Sequence, residues 1–243
     1  MKLDILAIAA HPDDVELSCS GTLMAQIALG KKVGILDLTH GELGTRGTPA
    51  LRLLEAEAAA KIMGVSVREN AGIPDGFFQN NEDTQKILIH YLRKYQPDIV
   101  LANAVDDRHP DHGRGAQLIH ESCFYSGLRR VETFDADGSP QKEWRPRQVF
   151  HAIQDKYINP DFVVDITPYW EKKKEAMLAF QSQFFVPSYQ TQSDEPQSYI
   201  SSPEFLDFIK ARAEEMGHAI GVKYGEGFTS KRRLGVTDIS VFI

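Results

Sequence analysis

The sequence predicts an α/β protein with a Rossmann-like, doubly wound and mostly parallel sheet that carries helices on both faces. Short, almost continuously apolar runs alternate with longer amphipathic runs through the first half of the chain. Strands that are buried on both faces of a parallel sheet have this composition. The 243 residues are enough for one well-filled core, so we expect a single domain over residues 1–243.

Local composition predicts the strands and helices of the first half of the chain. Apolar runs predict strands, and apolar residues at helical spacing predict helices that end near Gly or Pro. In chain order, the predicted strands are residues 3–10, 33–38, 65–68 and 98–103. The predicted helices are residues 16–28, 50–63, 81–95 and 113–126.

The second half is less regular. Strands are predicted at residues 148–153 and 162–166, and a helix at 203–216. Thr167 and Pro168 suit the N-cap and first turn of a helix that runs to about residue 181. Residues 183–202, rich in Ser, Gln, Pro and Tyr, are expected to form a functional loop or lid. The tail that contains residues 224–228 (YGEGF) is expected to be irregular.

Composition excludes several classes of function. Lys and Arg number 27 and Asp and Glu 34, which gives a net charge of −7 and argues against general binding to nucleic acid or to an anionic membrane. No run approaches the roughly 20 apolar residues that span a bilayer, and the start lacks the layout of a secretory signal. We therefore expect a cytoplasmic protein in which Cys19 and Cys123 are reduced thiols within helices.

Two polar clusters follow predicted strands. Residues 11–14 (HPDD) come after the first strand, and residues 106–112 (DDRHPDH) come after the strand at 98–103. The carboxyl ends of parallel strands meet at one edge of the sheet, where ligands bind. Helix capping alone explains one Asp pair after a strand, but two such clusters at one edge favour a functional site.

The residue types in these clusters suit a metal. A catalytic zinc site takes three protein ligands from His, Asp, Glu or Cys and keeps a position open. Two histidines and one carboxylate meet that number and leave a second carboxylate as a general base. Spacing does not decide between Asp13 and Asp14, or between His109 and His112, and the same donors suit non-haem iron. Five further histidines are expected to play no part in the site: His40, His90, His120, His151 and His218.

Residues 10–16 (AHPDDVE) and 109–112 (HPDH) resemble the two signature motifs of the LmbE-like, or PIG-L, zinc deacetylases. The resemblance continues over most of the chain, at residues 39–47, at Arg52 with Glu55, and at residues 74–76, 181–184 and 220–228. Residues 101–129 and the YGEGF tail are similar to the branch that deacetylates N-acetylglucosaminyl-malate during bacillithiol biosynthesis.

The resemblance implies an LmbE-like fold and a role for each residue of the clusters. His11, Asp14 and His112 would bind Zn²⁺, with another divalent metal such as Fe²⁺ also compatible. Asp13 would be the general base, and His109 would stabilise the oxyanion or protonate the departing amine. Asp111 is expected to orient this histidine.

The resemblance also implies a small N-acetyl amino sugar as substrate, carrying a carboxylate. Arg52, Asp75 and Arg46 would hold it, although Arg52 could instead pair with Glu55 or Glu57 on its own helix. Further contacts are expected in residues 183–202, with Tyr189 and Tyr199 suggested. Members of the family often form homo-oligomers, and a hexamer is the expectation by analogy.

Three alternatives stay open. The first is deacetylation of another N-acetyl sugar, such as a chitooligosaccharide or a mycothiol-type precursor. The second is a non-haem iron oxygenase, and the third a catalytically silent sugar-binding module.

Overall fold

The computed structural model describes residues 1–190 and 194–242. The strands are β1 (Ile5–Ala9), β2 (Val33–Asp37), β3 (Val67–Asn70), β4 (Ile99–Ala102), β5 (Gln148–Ala152), β6 (Phe162–Asp165) and β7 (Gly225–Thr229). The helices are α1 (Asp14–Ser18), α2 (Ser20–Ala28), α3 (Pro49–Met63), α4 (Glu82–Tyr95), α5 (Pro110–Tyr125), α6 (Trp170–Leu178), α7 (Pro187–Gln190) and α8 (Pro203–Ala219). Short 3₁₀ helices lie at Thr167–Tyr169, Tyr199–Ser201 and Ile239–Phe242.

The strands form one sheet in the order β3-β2-β1-β4-β5-β7-β6. β1 pairs in parallel with both β2 and β4, so that Ile5 aligns with Val33 and with Ile99. The pairings of β3 with β2 and of β5 with β4 are also parallel, whereas β7 is antiparallel to both of its neighbours. The predicted α/β class with a mostly parallel sheet is therefore confirmed.

Alternate residues of β1 face two separate hydrophobic clusters. Leu6 and Ile8 pack with residues of α4 and α5, including Leu88 and Leu118. Ile5 and the two alanines at alternate positions after it pack on the other face, with residues of α1, α2 and α6. Side chains of a strand point alternately to opposite faces, so an apolar residue at every position is what a sheet covered on both sides requires.

One predicted helix, residues 16–28, is divided into α1 and α2 at Cys19. The carboxylate of Glu226 accepts hydrogen bonds from the backbone N–H groups of Gly21 and Thr22, at 3.0 and 2.7 Å. A carboxylate at the first turn satisfies N–H groups that have no partner inside the helix. The cap comes from a residue about 200 positions away, so no local pattern could predict this break. Cys19 consequently lies between two helices, and both Cys19 and Cys123 are buried free thiols.

The YGEGF segment contains a strand, β7, so the expectation of an irregular tail was wrong. The strand lies between β5 and β6. A Cβ atom added at Gly225 would lie 2.5 Å from Val163 Cγ1 and 2.9 Å from the backbone nitrogen of Gly217. Glycine therefore allows α8 and β6 to approach the strand closely. Because glycine is rare in strands, a prediction based on β-forming residues does not detect this one.

The helix predicted from Thr167 also differs. Thr167 and Pro168 begin a 3₁₀ turn, and α6 runs only from Trp170 to Leu178. The hydroxyl oxygen of Thr167 accepts the backbone N–H of Tyr224 at 3.1 Å, so it joins the residue before β7 to this turn and caps no helix. None of the helices within residues 1–190 and 194–242 is both long and apolar enough to cross a membrane.

Candidate metal centre

The two HPD motifs lie side by side at one edge of the sheet. β1 ends at Ala9 and α1 begins at Asp14, whereas β4 ends at Ala102 and α5 begins at Pro110. β1 and β4 are neighbours from which the chain continues in opposite directions across the sheet, and clefts form at such positions. The ring centroids of His11 and His109 are 4.7 Å apart.

The motifs line a cavity of about 180 Å³. Its walls include most of the predicted site residues: His11, Asp13, Asp14, Arg52, Asp75, His109 and His112. Further lining residues come from the loops around the cavity: Leu17, Leu43, Gly44, Gly76, Arg108, Gln154, Gln183 and Ile200.

The carboxylate of Asp14 lies between two of the histidines. Its Oδ2 atom is 3.5 Å from His11 Nδ1, and its Oδ1 atom is 3.1 Å from His112 Nε2. Asp14 Oδ2 also accepts the backbone N–H of His11 at 3.0 Å. These three side chains are the set that the family resemblance assigns to the metal, and all three are less than 10% exposed.

The outer nitrogen of each of these histidines contacts other carboxylates. His112 Nδ1 is 2.6 Å from Asp107, and His11 Nε2 is 2.9 Å from Asp75 and 3.4 Å from Asp111. Metal-binding histidines typically donate their second N–H to a carboxylate, which fixes the tautomer and leaves the first nitrogen facing the ion. The arrangement therefore fits a divalent metal bound near Asp14, on the side of the two nitrogens that face this carboxylate.

Charges in the centre shift the pKa values of these residues. Burial alone would raise the pKa of Asp14, but the neighbouring His112 and His11 hold it well below its usual value. Burial would lower the pKa of His112, yet Asp14 and Asp107 raise it to about 9. Burial would also lower the pKa of His11, but Asp111, Asp14 and Asp75 raise it well above the ordinary value. This electrostatic balance favours a cation between the carboxylates.

The nitrogen donors also permit another grouping. One ring nitrogen from each of His11, His109 and His112 lies within 4.8 Å of the others, and His11 forms a similar group with Asp75 and Asp111. Among the described residues these groups and the Asp14 set share His11, but Asp75 and Asp111 face its Nε2 atom, whereas Asp14 faces its Nδ1 atom.

Asp13 is buried at 4% exposure beside this donor set. Its backbone has φ 117° and ψ −25°, a region that residues other than glycine rarely adopt. Burial raises the pKa of its carboxyl group to about 7, and the charges of Asp14 and Glu16 add to this shift while Arg52 opposes it. The carboxyl group is thus poised to exchange a proton near neutral pH.

Arg52 holds Asp13 in place. Its Nη2 atom donates to Asp13 Oδ2 at 3.1 Å and to the carbonyl of Pro12 at 2.6 Å, and Nη1 donates to the carbonyl of Gly41 at 3.3 Å. A Cβ atom at Gly41 would lie 1.9 Å from Nη1, so the glycine makes room for this contact. The alternative pairing within the helix is not seen, because Glu55 instead accepts hydrogen bonds from Ser182.

His109 is partly exposed at the cavity wall. Its Nδ1 atom accepts the backbone N–H of Asp111 at 3.2 Å, so in the neutral ring the proton resides on Nε2. Burial, together with His11 and His112, lowers its pKa. A neutral ring with an N–H donor is suited to stabilise negative charge on an oxygen atom.

The side chain of Asp111 lies where it orients a different histidine from the one expected. Its Oδ2 atom is 3.4 Å from His11 Nε2 and accepts the backbone N–H of Gly76 at 3.0 Å, and Oδ1 pairs with Arg114 at 2.7 Å. Its hydrogen bond with His109 is made by the backbone N–H and not by the carboxylate. The carboxylate is thus placed to act through His11.

Arg46 does not line the cavity in this structure. It is 1% exposed, and its guanidinium group donates to the main-chain carbonyls of Ser182, Glu195 and Pro196 at 2.8 to 3.1 Å. Gln183 returns a hydrogen bond to the carbonyl of Arg46 at 2.7 Å. Arg46 therefore joins the glycine-rich turn to the segment that follows α6.

Parts of residues 183–202 reach the cavity, and residues 191–193 of that segment lie outside the described residues. Gln183 and Ile200 line the cavity. Tyr189 donates from its hydroxyl to Glu195 at 3.3 Å. The ring of Tyr199 lies 4.3 Å from the guanidinium carbon of Arg108.

Sequence reasoning assigned no role to three polar residues that contact Asp14 or His112. Asp107 contacts His112, Gln154 donates to Asp14 Oδ1 at 2.8 Å, and Asn103 donates to Asp14 Oδ2 at 3.3 Å. Asp107 could have been found, because it stands in the second polar cluster. A single Asn or Gln after a strand carries no such signal.

The chain is similar to known proteins over most of its length. Residues 6–123 match the model of the family described as "PIG-L: GlcNAc-PI de-N-acetylase". The solved structure of the conserved protein TT1542 from Thermus thermophilus is 34% identical, covers 97% of this chain and 98% of its own, and has a TM-score of 0.83.

Curated relatives differ in their named activities. The diacetylchitobiose deacetylase of Thermococcus kodakarensis is 29% identical over 74% of this chain and 70% of its own length. The 4-oxalmesaconate hydratase of Pseudomonas putida is 27% identical over 76% of each protein. A probable N-acetyl-α-D-glucosaminyl L-malate deacetylase 2 of Bacillus anthracis is 25% identical over 74% of this chain and 81% of its own. With the family model over its first half and a full-length structural relative at 34% identity, the chain belongs to the PIG-L, or LmbE-like, family.

Proposed function

We propose that this protein is a metal-dependent hydrolase that removes the acetyl group from an N-acetyl amino sugar. The observation that carries the proposal is the convergence of both HPD motifs in one cavity, with Asp13 buried beside a set of histidine and carboxylate donors. Two of the relatives described above are named as deacetylases of such sugars.

His11, Asp14 and His112 would hold the metal, which we propose to be Zn²⁺, with Fe²⁺ also compatible with the donors. The contacts of the two outer histidine nitrogens with carboxylates support this assignment. A divalent metal there would supply Lewis acidity, which polarises a carbonyl group and makes a water molecule more acidic.

Asp13 would take the proton from the attacking water. A base works best when its pKa lies near the working pH, and Arg52 fixes the direction of the carboxylate through a 3.1 Å contact. His109 would donate its Nε2 hydrogen to the developing oxyanion or to the departing nitrogen. Water adds to the amide carbon, the C–N bond breaks, and the products are acetate and a free amine.

For the substrate we propose N-acetylglucosaminyl-malate, converted to glucosaminyl-malate in bacillithiol biosynthesis. The malate carboxylates require a cation near the cavity, and the side chain of Arg108 lines the cavity while 47% exposed. An arginine can donate two parallel hydrogen bonds to a carboxylate. Arg52 and Asp75 also line the cavity, and we propose that both contact the sugar.

The test is acetate release from metal-stripped protein to which Zn²⁺, Fe²⁺ or Co²⁺ is restored singly. The substrates are N-acetylglucosaminyl-malate, N-acetylglucosamine, N,N′-diacetylchitobiose and N-acetylglucosaminyl-inositol. We expect metal-dependent release, fastest from the malate conjugate. Release from diacetylchitobiose alone would support deacetylase activity but reject N-acetylglucosaminyl-malate as the substrate. No release from any of the four compounds would reject both the activity and the substrate.

One relative favours a second candidate function, the addition of water to a carbon–carbon double bond. The Pseudomonas putida relative is named as a hydratase, and a base beside a metal can serve either reaction. The discriminating assay follows the ultraviolet absorbance of 4-oxalmesaconate, which falls when the conjugated double bond is hydrated. Turnover there without acetate release from the sugars would establish the hydratase.

A further inference from the structure

Two neutral carboxamide side chains hold the two oxygen atoms of Asp14 separately. Gln154 Nε2 donates to Oδ1 at 2.8 Å, and Asn103 Nδ2 donates to Oδ2 at 3.3 Å. Gln154 and Asn103 are 6% and 3% exposed. Both follow strands at the carboxyl edge of the sheet, β5 for Gln154 and β4 for Asn103.

The fold fixes the carboxamide of Asn103 and the main chain of Gln154. Asn103 Oδ1 accepts the backbone N–H of Ala10 at 2.8 Å, which determines that its nitrogen points to Asp14. The main chain at Gln154 is held from α8, because Arg212 donates to the carbonyls of Gln154 and Asp155 at 3.4 and 3.0 Å. The two residues therefore differ: the fold holds the amide of Asn103, whereas for Gln154 it holds the main chain, and Gln154 Oε1 has no hydrogen-bond partner among the described residues.

We propose that Gln154, assisted by Asn103, is a positioning residue for the metal ligand Asp14. An amide N–H stabilises an anionic carboxylate without adding a positive charge that would repel a bound cation. With a carboxamide donor on each oxygen and the backbone N–H of His11 also on Oδ2, rotation of the carboxylate is restricted, so the oxygen beside His112 keeps its direction. This inference rests on the proposed metal set.

The test measures metal affinity and needs no substrate. Gln154→Met keeps side-chain length and removes the donor. We expect the dissociation constant for Zn²⁺, measured by competition with a chromophoric chelator, to rise about 10- to 100-fold, the usual effect of removing an outer contact of a metal ligand. Gln183→Met is the matched control, because Gln183 also lines the cavity but bonds to Arg46 and Ser182, and its dissociation constant should stay within about twofold of wild type.

The melting temperature of the metal-free protein separates this role from a structural one. If Gln154 only supports the fold, Gln154→Met lowers that temperature and leaves metal affinity unchanged, which overturns the inference. Arg212→Gln is a second variant, which weakens the support of the main chain at Gln154. It should raise the dissociation constant for Zn²⁺ by a smaller factor than Gln154→Met does. A wild-type protein that binds no Zn²⁺ would instead reject the metal centre of the proposed function.

Discussion

Asp13 illustrates how a single residue combines burial, strain and charge. Its carboxyl group is surrounded by protein on every side except the cavity, next to Asp14 and opposite Arg52. Burial favours the protonated form and the arginine favours the ionised form, so the pKa of about 7 reflects a balance between the two effects. In the unfolded chain the same carboxyl group would be in water, so this balance exists only in the folded protein.

The first prediction concerns this residue. Asp13→Asn removes the proposed base and keeps the shape, so kcat for acetate release should fall by about 10²- to 10⁴-fold. Metal content, measured by mass spectrometry, should stay at the wild-type level because Asp13 is outside the proposed ligand set. Asp106→Asn is the control: Asp106 lies in the second polar cluster but is exposed and pairs with Lys156. Normal turnover in Asp13→Asn would refute the assignment.

At the residue scale the sequence indicated the reactive groups but not their partners. The HPD motifs are visible because histidines and carboxylates are concentrated after two strands. The contact of Arg52 with Asp13 joins residues 39 positions apart, and that of Gln154 with Asp14 spans 140 positions. Such contacts depend on how loops meet at the sheet edge, which neither periodicity nor spacing records.

At the scale of elements, the glycine-rich turn and the segment after α6 are joined on one side of the cavity. Arg46 donates to Ser182 and Glu195, and the side chain of Glu195 accepts the backbone N–H of Gly47 at 2.9 Å. Gly44 of the turn and Gln183 of the segment both line the cavity. Displacing the segment would therefore alter the cavity wall.

The second prediction tests this connection. Arg46→Lys keeps the charge but cannot reproduce the three hydrogen bonds to carbonyl groups, because lysine lacks the planar fork. We expect a loss of about 1–3 kcal/mol in the free energy of unfolding, faster proteolysis within residues 183–202, and a larger rise in KM than fall in kcat. Arg129→Lys, at an exposed position, should behave as wild type. Equal proteolysis rates in the two variants would contradict the role of Arg46.

Periodicity predicted the helices and strands of the first half because each of them buries an apolar face or an apolar run. It failed where stabilisation comes from distant residues or from glycine. The division between α1 and α2 depends on Glu226, and β7 is composed largely of small residues that allow close packing. The start of α6 differs from the prediction because Thr167 bonds to Tyr224, the residue before β7, instead of capping the helix.

At the scale of the whole molecule, buried charges tie the late strands to the early helices. Lys173 of α6 donates to Glu226 of β7 and to the carbonyl of Leu17, both at 2.7 Å. Glu226 in turn caps α2. The second half of the chain therefore supports the helices that follow β1, and α1 begins at Asp14 of the candidate metal centre. The fold class was predictable from the first half, but this dependence was not.

The third prediction concerns the stability of the whole fold at low pH. His151 is fully buried, its Nδ1 donates to the carbonyl of Asn103 at 2.9 Å, and its Nε2 has no hydrogen-bond partner among the described residues. Burial lowers its pKa to about 4, and the charges of Lys231 and His120 contribute in the same direction while the bond to Asn103 opposes them. In the unfolded chain the pKa of histidine is about 6.5.

The sign follows from these two values. Above about pH 6.5 His151 is neutral in both states, and between about 6.5 and 4 only the unfolded state binds the proton, so stability falls as pH falls. Between pH 7 and pH 5 the wild type should lose about 2 kcal/mol more than His151→Gln. Urea unfolding of metal-free protein at the two pH values measures the difference. His40→Gln, at an exposed position, is the control, and identical losses in all three proteins would show that His151 is not responsible.

The backbone of Asp13, at φ 117°, has a consequence for engineering. A residue other than glycine in this conformation costs about 1–3 kcal/mol, and Asp13→Gly would remove that cost together with a buried carboxyl group. A library selected only for heat tolerance would therefore enrich glycine at position 13 and discard the proposed base. Directed evolution of this protein needs a selection for turnover alongside the selection for stability.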